Sequence, residues 1–269
     1  KDMTFRQLLY HETGMPPSLN MWQMMFDPKT YNGPLIATTP NEYNTIWVMK
    51  NAYGNKKAKL RTDILSRKKT DVFNLPIAEG LWGSKATYDS IMAPIYTSTL
   101  GEKKYLYSCL NFSLLANAVE IVTKQPLNTF VQDGIFAPLG AYHTMYRPLE
   151  KFPQYQIAYT EVDTYLRRQH IHGYVHDELA AFSGGVQGNA GLFDLCKLFQ
   201  MWLNGGVYGG DRYLKQSTVE TFLTSKSPNS HRGLGFDKPR IDKPEWSSTC
   251  DEASPETVGH TGFTGTCFW

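Results

Sequence analysis

Long apolar runs are missing from this sequence. No window approaches the roughly 18 consecutive apolar residues of a membrane span. Cysteine is scarce, and the four present, Cys109, Cys196, Cys250 and Cys267, fall in no C-x-x-C or zinc spacing, so no disulfide framework is implied. An excess of one charge is also absent. The 27 Lys and Arg against 25 Asp and Glu leave +2, so no global field argues for nucleic acid or an anionic membrane as partner. No Walker A string occurs. Residues 184–191 are Gly-rich but lack the dinucleotide-binding pattern, because Val186 stands where that pattern needs Gly.

What is present is ordinary for a globular chain. Over 269 residues, 41% are hydrophobic and 19% charged, too apolar for disorder and long enough for one large domain or two small ones. Lys1-Asp2-Met3-Thr4 has no signal-peptide character and reads as mid-domain sequence. Thr266-Cys267-Phe268-Trp269 stops inside an apolar run, so both ends read as cut.

Helix signals dominate. Thr4-Phe-Arg-Gln7 is a capping box that opens a short helix with Phe5, Leu8 and Leu9 on its apolar face. A second helix is expected near residues 43–50. The strongest periodicity is Phe112, Leu115, Val119 and Val122; Leu114, Ala118 and Ile121 widen that stripe and predict a well-buried helix over residues 111–124. Pro126 opens a further element that Pro138-Leu-Gly140 stops. The loop Ser183-Gly-Gly-Val-Gln-Gly-Asn-Ala-Gly191 feeds a helix closed by Gly205-Gly206. Ser217-Thr-Val-Glu220 is a second capping box. Residues 258–269 alternate Gly, Thr and aromatics and read as a strand. The pattern gives many helices and few strands.

Three features invite a chemical reading. Residues 56–71 hold Lys56, Lys57, Lys59, Arg61, Arg67, Lys68 and Lys69, but no aromatics interleave, and Asp63 and Asp71 dilute the charge, which fits a solvated loop. Ser66-Arg-Lys-Lys69 is an S-x-x-K string, yet it lies in a polar loop with no apolar helix behind it and reads as chance. His170, His172, His176 and Asp177 have a metal-like spacing. Neither a metal nor any other cofactor is expected.

Three segments, in this order, carry a resemblance: Leu8-Leu-Tyr-His-Glu-Thr-Gly-Met-Pro16, Tyr107-Ser-Cys-Leu-Asn-Phe-Ser-Leu-Leu115 and Gly259-His-Thr-Gly-Phe-Thr-Gly265. Together with residues 126–140 and 191–206 they resemble the serine β-lactamase-like hydrolases, which include class C β-lactamases, D-alanyl-D-alanine carboxypeptidases, penicillin-binding proteins and related esterases. The resemblance implies an α/β (α+β) fold of the β-lactamase/transpeptidase type. It is represented over residues 1–269 as a single domain, truncated at both ends and made mainly of the helical part plus one site-lining strand. Relatives also carry a few more residues between Phe193 and Asp194. The segment around His176 resembles a loop bordering the site in these hydrolases, where no metal is implied.

In that family the nucleophile is the Ser of an S-x-x-K motif that precedes the Leu-Leu-x-His segment, so the nucleophile is expected to lie outside this chain. The resemblance implies catalytic roles for Tyr107, which would share a proton with the Lys, and for His260, which stands where a Lys-Thr-Gly motif has its Lys. Read from the residues alone, Tyr107 is a side chain packing ahead of a helix and His260 an ordinary strand histidine. Thr261, Gly262 and Phe263 are expected to line the substrate, with the Phe263 N–H as an oxyanion donor. Cys109 takes a substrate-binding position where the family has Asn or a similar polar residue. A thiol is a poor substitute for an amide, and with no His at a family-like spacing Cys109 reads as a buried, inert thiol rather than a nucleophile.

The implied function is acyl transfer on a peptide, β-lactam or ester carbonyl, with a small-molecule or peptidoglycan-like substrate and a periplasmic or cell-surface setting. The alternative is a catalytically silent accessory domain. Some Bacteroidetes proteins that this chain resembles fuse such a domain to a family 3 glycoside hydrolase acting as a β-N-acetylhexosaminidase, although no glycosidase carboxylate pair is recognisable here.

Overall fold

The computed structural model describes residues 2–19, 21–78, 80–146, 148, 151–157, 161–163, 165, 169–171, 188–189, 191–262 and 266–269. Six α-helices occur among them: α1 (Phe5–Tyr10), α2 (Lys85–Thr97), α3 (Leu110–Thr123), α4 (Leu127–Val131), α5 (Leu192–Leu203) and α6 (Gln216–Thr224). Strands are more numerous than the sequence pattern suggests. The described residues form five two-stranded and two three-stranded sheets. All but one of the strands are two to four residues long, too short to print a period-2 signal. The chain therefore mixes helix and strand rather than being mainly helical. It divides into two compact units: Lys1–Ser18, Ser98–Tyr146 and Gly188–Trp269 form one, Leu19–Thr97 and Arg147–Gln187 the other.

In the first unit α1 opens with the predicted capping box. The Thr4 hydroxyl accepts from the Gln7 N–H at 3.1 Å, and the Gln7 side chain accepts from the Thr4 N–H at 3.0 Å, an arrangement that contributes about 1 kcal/mol. The helix ends at His11, which is left-handed at φ 58°. A non-glycine residue there costs about 1 kcal/mol, so its surroundings must hold it. They do so by pairing the chain after α1 with the chain before α3. Leu106 N–H donates to the His11 carbonyl at 2.9 Å, Gly101 N–H to Gly14 at 2.7 Å and Cys109 N–H to Pro17 at 3.0 Å. At Gly14 (φ 74°) a Cβ would fall 2.4 Å from the Gly101 oxygen, so only glycine allows this approach.

Helix α3 forms as expected, but its burial does not follow the apolar stripe. Leu110, Asn111, Ser113 and Ala116 are buried, whereas Ile121 and Val122 are 58% and 78% exposed. Only its first two turns bury side chains, and α1 is the helix that packs on it there. The buried Asn111 has its Oδ1 satisfied by Thr13, which donates to it at 2.8 Å. Pro126 caps α4, which runs into a π turn, Gln132–Phe136. Leu139, Ala141 and Met201 form a core that Leu198, Trp202 and Leu214 cover. Helix α5 is closed by Gly205 and Gly206 at φ 63° and 91°, as the Gly-Gly pair predicts. The capping box expected at Ser217 does not form. Helix α6 starts two residues before the start that box implies, capped by the Lys215 backbone, and Glu220 instead accepts from the Gln216 amide at 2.8 Å. The strand expected over residues 258–269 is a hairpin: His260–Thr261 pairs with Cys267–Phe268, and Gly262 N–H donates to Thr266 at 2.6 Å.

In the second unit the helix expected near residues 43–50 is a strand, Asn44–Met49. Thr45, Ile46, Trp47 and Val48 are β-branched or aromatic, and exposure alternates along them, as a half-covered strand requires. It pairs with Ala52–Asn55, the centre of a three-stranded sheet that Ile36–Ala37 completes. Gly54 is fixed by the Tyr165 ring, which a Cβ would meet at 2.4 Å, and the Tyr165 hydroxyl donates to the Asn55 carbonyl at 3.0 Å.

Candidate active site

The site lies within the first unit and is built from α1, α3 and two loops. Tyr107, at the mouth of α3, is half-buried. Its ring stacks on His11 with centroids 4.2 Å apart and an interplanar angle of 28°. The Arg232 guanidinium carbon lies 4.9 Å from the Tyr107 ring centre, a cation–π contact. The His260 ring is 6.1 Å away. Residues separated by more than 200 positions in the chain thus converge on one phenol.

His11 is 1% exposed. Its Nδ1 accepts the Ser108 N–H at 3.1 Å, so a neutral imidazole carries its proton on Nε2. That Nε2 is buried and meets no hydrogen-bond partner among the described residues. Burial, followed by the Arg232 charge and the neighbouring His260, pushes its pKa down from 6.5 to about 3. His11 is therefore a neutral stacking platform under Tyr107.

Arg232 is 6% exposed, and each of its guanidinium nitrogens is engaged. Nε donates to the Tyr105 hydroxyl at 3.3 Å, an Nη to His260 Nε2 at 3.1 Å and the other Nη to Asp237 at 3.3 Å. Asp237 also faces His231 Nε2 at 2.7 Å and accepts the Lys238 N–H at 3.0 Å. Burial alone would raise the Asp237 pKa, but the His231 contact and the Arg232 charge hold it below the usual carboxylate value. The Asp237 and Gly259 backbones exchange hydrogen bonds at 2.7 and 3.1 Å, which sets the start of the His260 strand. The loop is fastened to α1: Gly235 N–H donates to Leu9 at 3.2 Å, and the Ser227 hydroxyl donates to the buried Glu12 carboxylate.

Of the site residues expected from the sequence, Tyr107 and His260 are brought together here. Tyr107 and His260 face one another. Burial, then the neighbouring Cys109, raises the Tyr107 pKa, and Arg232 opposes that shift. Burial lowers the His260 pKa, with Arg232 adding to the effect. Cys109 is half-buried rather than buried, one residue before α3. Thr261 and Gly262 are exposed on the hairpin. Phe263 lies outside the described residues, as do His172, His176 and Asp177. His170 sits on a short strand, Gln169–Ile171, paired with Glu161–Asp163. Among the described residues, no group of His, Cys, Asp and Glu gathers as a metal site, and no helix is long and apolar enough to cross a membrane.

Ser66 belongs to the second unit. It ends the strand Leu65–Ser66, where its hydroxyl donates to the Lys68 carbonyl at 2.7 Å and accepts the Lys68 N–H at 3.0 Å. Lys69 lies over the Trp82 ring at 5.4 Å. His11, Arg232, Asp237 and His231 are the site residues that carry no role in the sequence reading. His11 stands inside the Leu8–Pro16 motif, but nothing in its spacing announces a stacked tyrosine, and no motif frames Arg232.

Residues 1–269 match the protein-family model described as Beta-lactamase. The chain belongs to the Beta-lactamase family. This is a serine-hydrolase family whose fold mixes helix and strand as here. Among curated proteins of Escherichia coli (strain K12), the one named "Putative D-alanyl-D-alanine carboxypeptidase" is 41% identical over 184 residues, covering 61% of this chain and 41% of that protein. The protein of the same name from Salmonella schwarzengrund (strain CVM19633) is 39% identical over 181 residues, with the same coverage. The chain thus spans about two fifths of the length of these Beta-lactamase-family relatives. A solved structure of D-amino acid amidase from Ochrobactrum anthropi SV3 complexed with D-phenylalanine shares the fold, with a TM-score of 0.51 at 15% identity over 90% of this chain and 56% of that one.

Proposed function

We propose that residues 1–269 are part of one β-lactamase-like domain that cleaves the terminal amide of a D-alanyl-D-alanine-type peptide by acyl transfer. The observation that carries this reading is the phenol of Tyr107, half-buried between neutral His11, the Arg232 cation and His260. A phenol ionises near pH ~10 in water and needs positive charge close by to act as a base. Arg232 supplies positive charge that opposes the upward push of burial on Tyr107. The names of the curated relatives support the substrate class.

In this reaction a serine hydroxyl adds to the substrate carbonyl, and its proton passes to the Lys and Tyr107 pair. The leaving amine takes up that proton as the carbon–nitrogen bond breaks, giving an acyl-serine. Water then adds to the acyl carbon, its proton returns to the serine oxygen, and the free acid departs. The serine and its Lys come from an S-x-x-K segment outside residues 1–269. Thr261 and Gly262 border the substrate, and Phe263 offers its N–H to the oxyanion. A peptidoglycan-like substrate puts the protein in the periplasm or at the cell surface.

One observation favours a second reading, a silent accessory domain joined to a cell-envelope glycoside hydrolase of the β-N-acetylhexosaminidase type. Cys109 stands in the motif where the resemblance implies an amide that would hold a substrate carbonyl. Fluorophosphonate labelling of the longest native form, followed by peptide mass spectrometry, separates the two. An adduct on an S-x-x-K serine outside residues 1–269 supports the hydrolase. A folded protein with no adduct overturns it.

A further inference from the structure

We propose that Arg232 is the positioning residue of this site, supplying the positive charge at Tyr107 and holding His260 in its Nδ1–H tautomer with Nε2 occupied. The inference rests on the acyl-transfer reading for its catalytic meaning, but its geometry stands independently.

His260 Nδ1 lies 2.7 Å from the Thr261 carbonyl, which can only accept, so Nδ1 bears a proton. Nε2 lies 3.1 Å from an Arg232 Nη, which can only donate, so Nε2 is the acceptor. The two contacts select a single neutral tautomer. A second proton on half-buried His260 would set an N–H against the Arg232 N–H, so the Arg232 contact opposes the charged form. The cation that a Lys-Thr-Gly motif carries at the strand has therefore moved one layer back, from position 260 to Arg232. From there it lies over the Tyr107 ring.

Arg232 can do this because its own geometry is fixed. Asp237 holds one Nη and Tyr105 the Nε, while His231 and the Lys238 N–H hold Asp237. The Asp237–Gly259 backbone bridge ties the same carboxylate-bearing residue to the strand of His260. Each guanidinium nitrogen has a partner within the protein, which fixes the plane of the Arg232 head group. The titratable and charged groups acting on Tyr107 are His11, Cys109, Tyr105, Asp237, His260 and Arg232, and of these only Arg232 brings positive charge with both histidines neutral.

The test uses the full-length protein. Long-range proton–nitrogen NMR of the wild type near neutral pH reads the His260 tautomer directly. The expected spectrum shows a protonated Nδ1 and an unprotonated Nε2; an imidazolium or an Nε2–H tautomer overturns the proposal, whatever the activity. Arg232→Lys and Arg232→Gln are then compared by circular dichroism and by the pH profile of kcat/KM on a D-alanyl-D-alanine peptide. The Gln variant should move the limb that reports Tyr107 ionisation to higher pH by about one unit, and the Lys variant, which keeps the charge, should restore most of that shift. A loss of folded protein with an unmoved profile would mark Arg232 as structural and overturn the proposal. Absence of wild-type turnover alongside the expected tautomer would sink the acyl-transfer reading and leave the Arg232–His260 assignment standing.

Discussion

The Ser108 backbone N–H donates to Nδ1 of His11 at 3.1 Å across 97 residues of sequence. This bond keeps His11 neutral, because an imidazolium has no acceptor to offer Ser108. The histidine also resists protonation through burial, and its pKa falls from 6.5 to about 3. Its effect on stability has a definite sign. Above pH 6.5 both folded and unfolded chains hold His11 neutral. Between 6.5 and about 3 the unfolded chain binds a proton that the folded chain refuses, so stability falls as pH falls, by about 1.4 kcal/mol per unit at the steepest. Asn tolerates a left-handed backbone and retains an acceptor, so His11→Asn should be folded. Urea denaturation of wild type and variant near pH 7 and pH 5 measures the difference. The wild type should lose more stability over that interval, and equal losses would place the titration elsewhere.

Tyr107→Phe isolates the phenol. The ring keeps its stack on His11 and its place beneath Arg232. Its hydroxyl makes no hydrogen bond among the described residues that the variant would forfeit. Melting temperature should therefore stay close to wild type, while kcat on a D-alanyl-D-alanine peptide drops by about 100-fold or more, the scale of a lost general base. Unchanged turnover in the full-length protein would remove Tyr107 from the chemistry and return it to packing.

Local signals in this sequence are legible, and distant ones are not. The Thr4–Gln7 capping box and the Gly205-Gly206 stop each depend on residues within a few positions of one another, and both form as written. Residues 43–50 mislead because a short apolar run fits either period, and the sheet contact with Ala52–Asn55 decides it. The second capping box fails because Ser217 falls one residue inside its helix. In the site, Tyr107 and His260 are readable through the motifs that flank them. Arg232 is not, since beyond nearby Asp237 its partners lie 28 residues ahead at His260 and 127 behind at Tyr105, and no periodicity links them. Tertiary pairing, not composition, makes it a site residue.

Gly14→Ala tests whether the turn after α1 holds the site. The backbone is at φ 74°, and the new Cβ would lie 2.4 Å from the Gly101 oxygen. Relief requires separating the 11–17 and 101–109 segments, which carry His11 and Tyr107. The substitution should cost well over about 1 kcal/mol, since the left-handed strain and the clash add. Chemical denaturation gives the number. A loss below that level would show that the two segments part without penalty, and the His11–Tyr107 stack would then rest on side chains alone.

Ser66→Ala addresses the one S-x-x-K string in the chain. For the serine and lysine of such a motif to exchange a proton, both must lie on one helix face at i and i+3. Ser66 instead ends a strand, with its hydroxyl committed to the Lys68 backbone in both directions. The Lys69 ammonium lies over the Trp82 ring. Removing the hydroxyl loses a turn contact worth about 0.5–1.5 kcal/mol and no chemistry. The rate of fluorophosphonate labelling of the full-length variant should stay within about twofold of wild type. If a folded Ser66→Ala protein no longer labels, the nucleophile lies in the second unit, and the acyl-transfer site built around Tyr107 is misplaced.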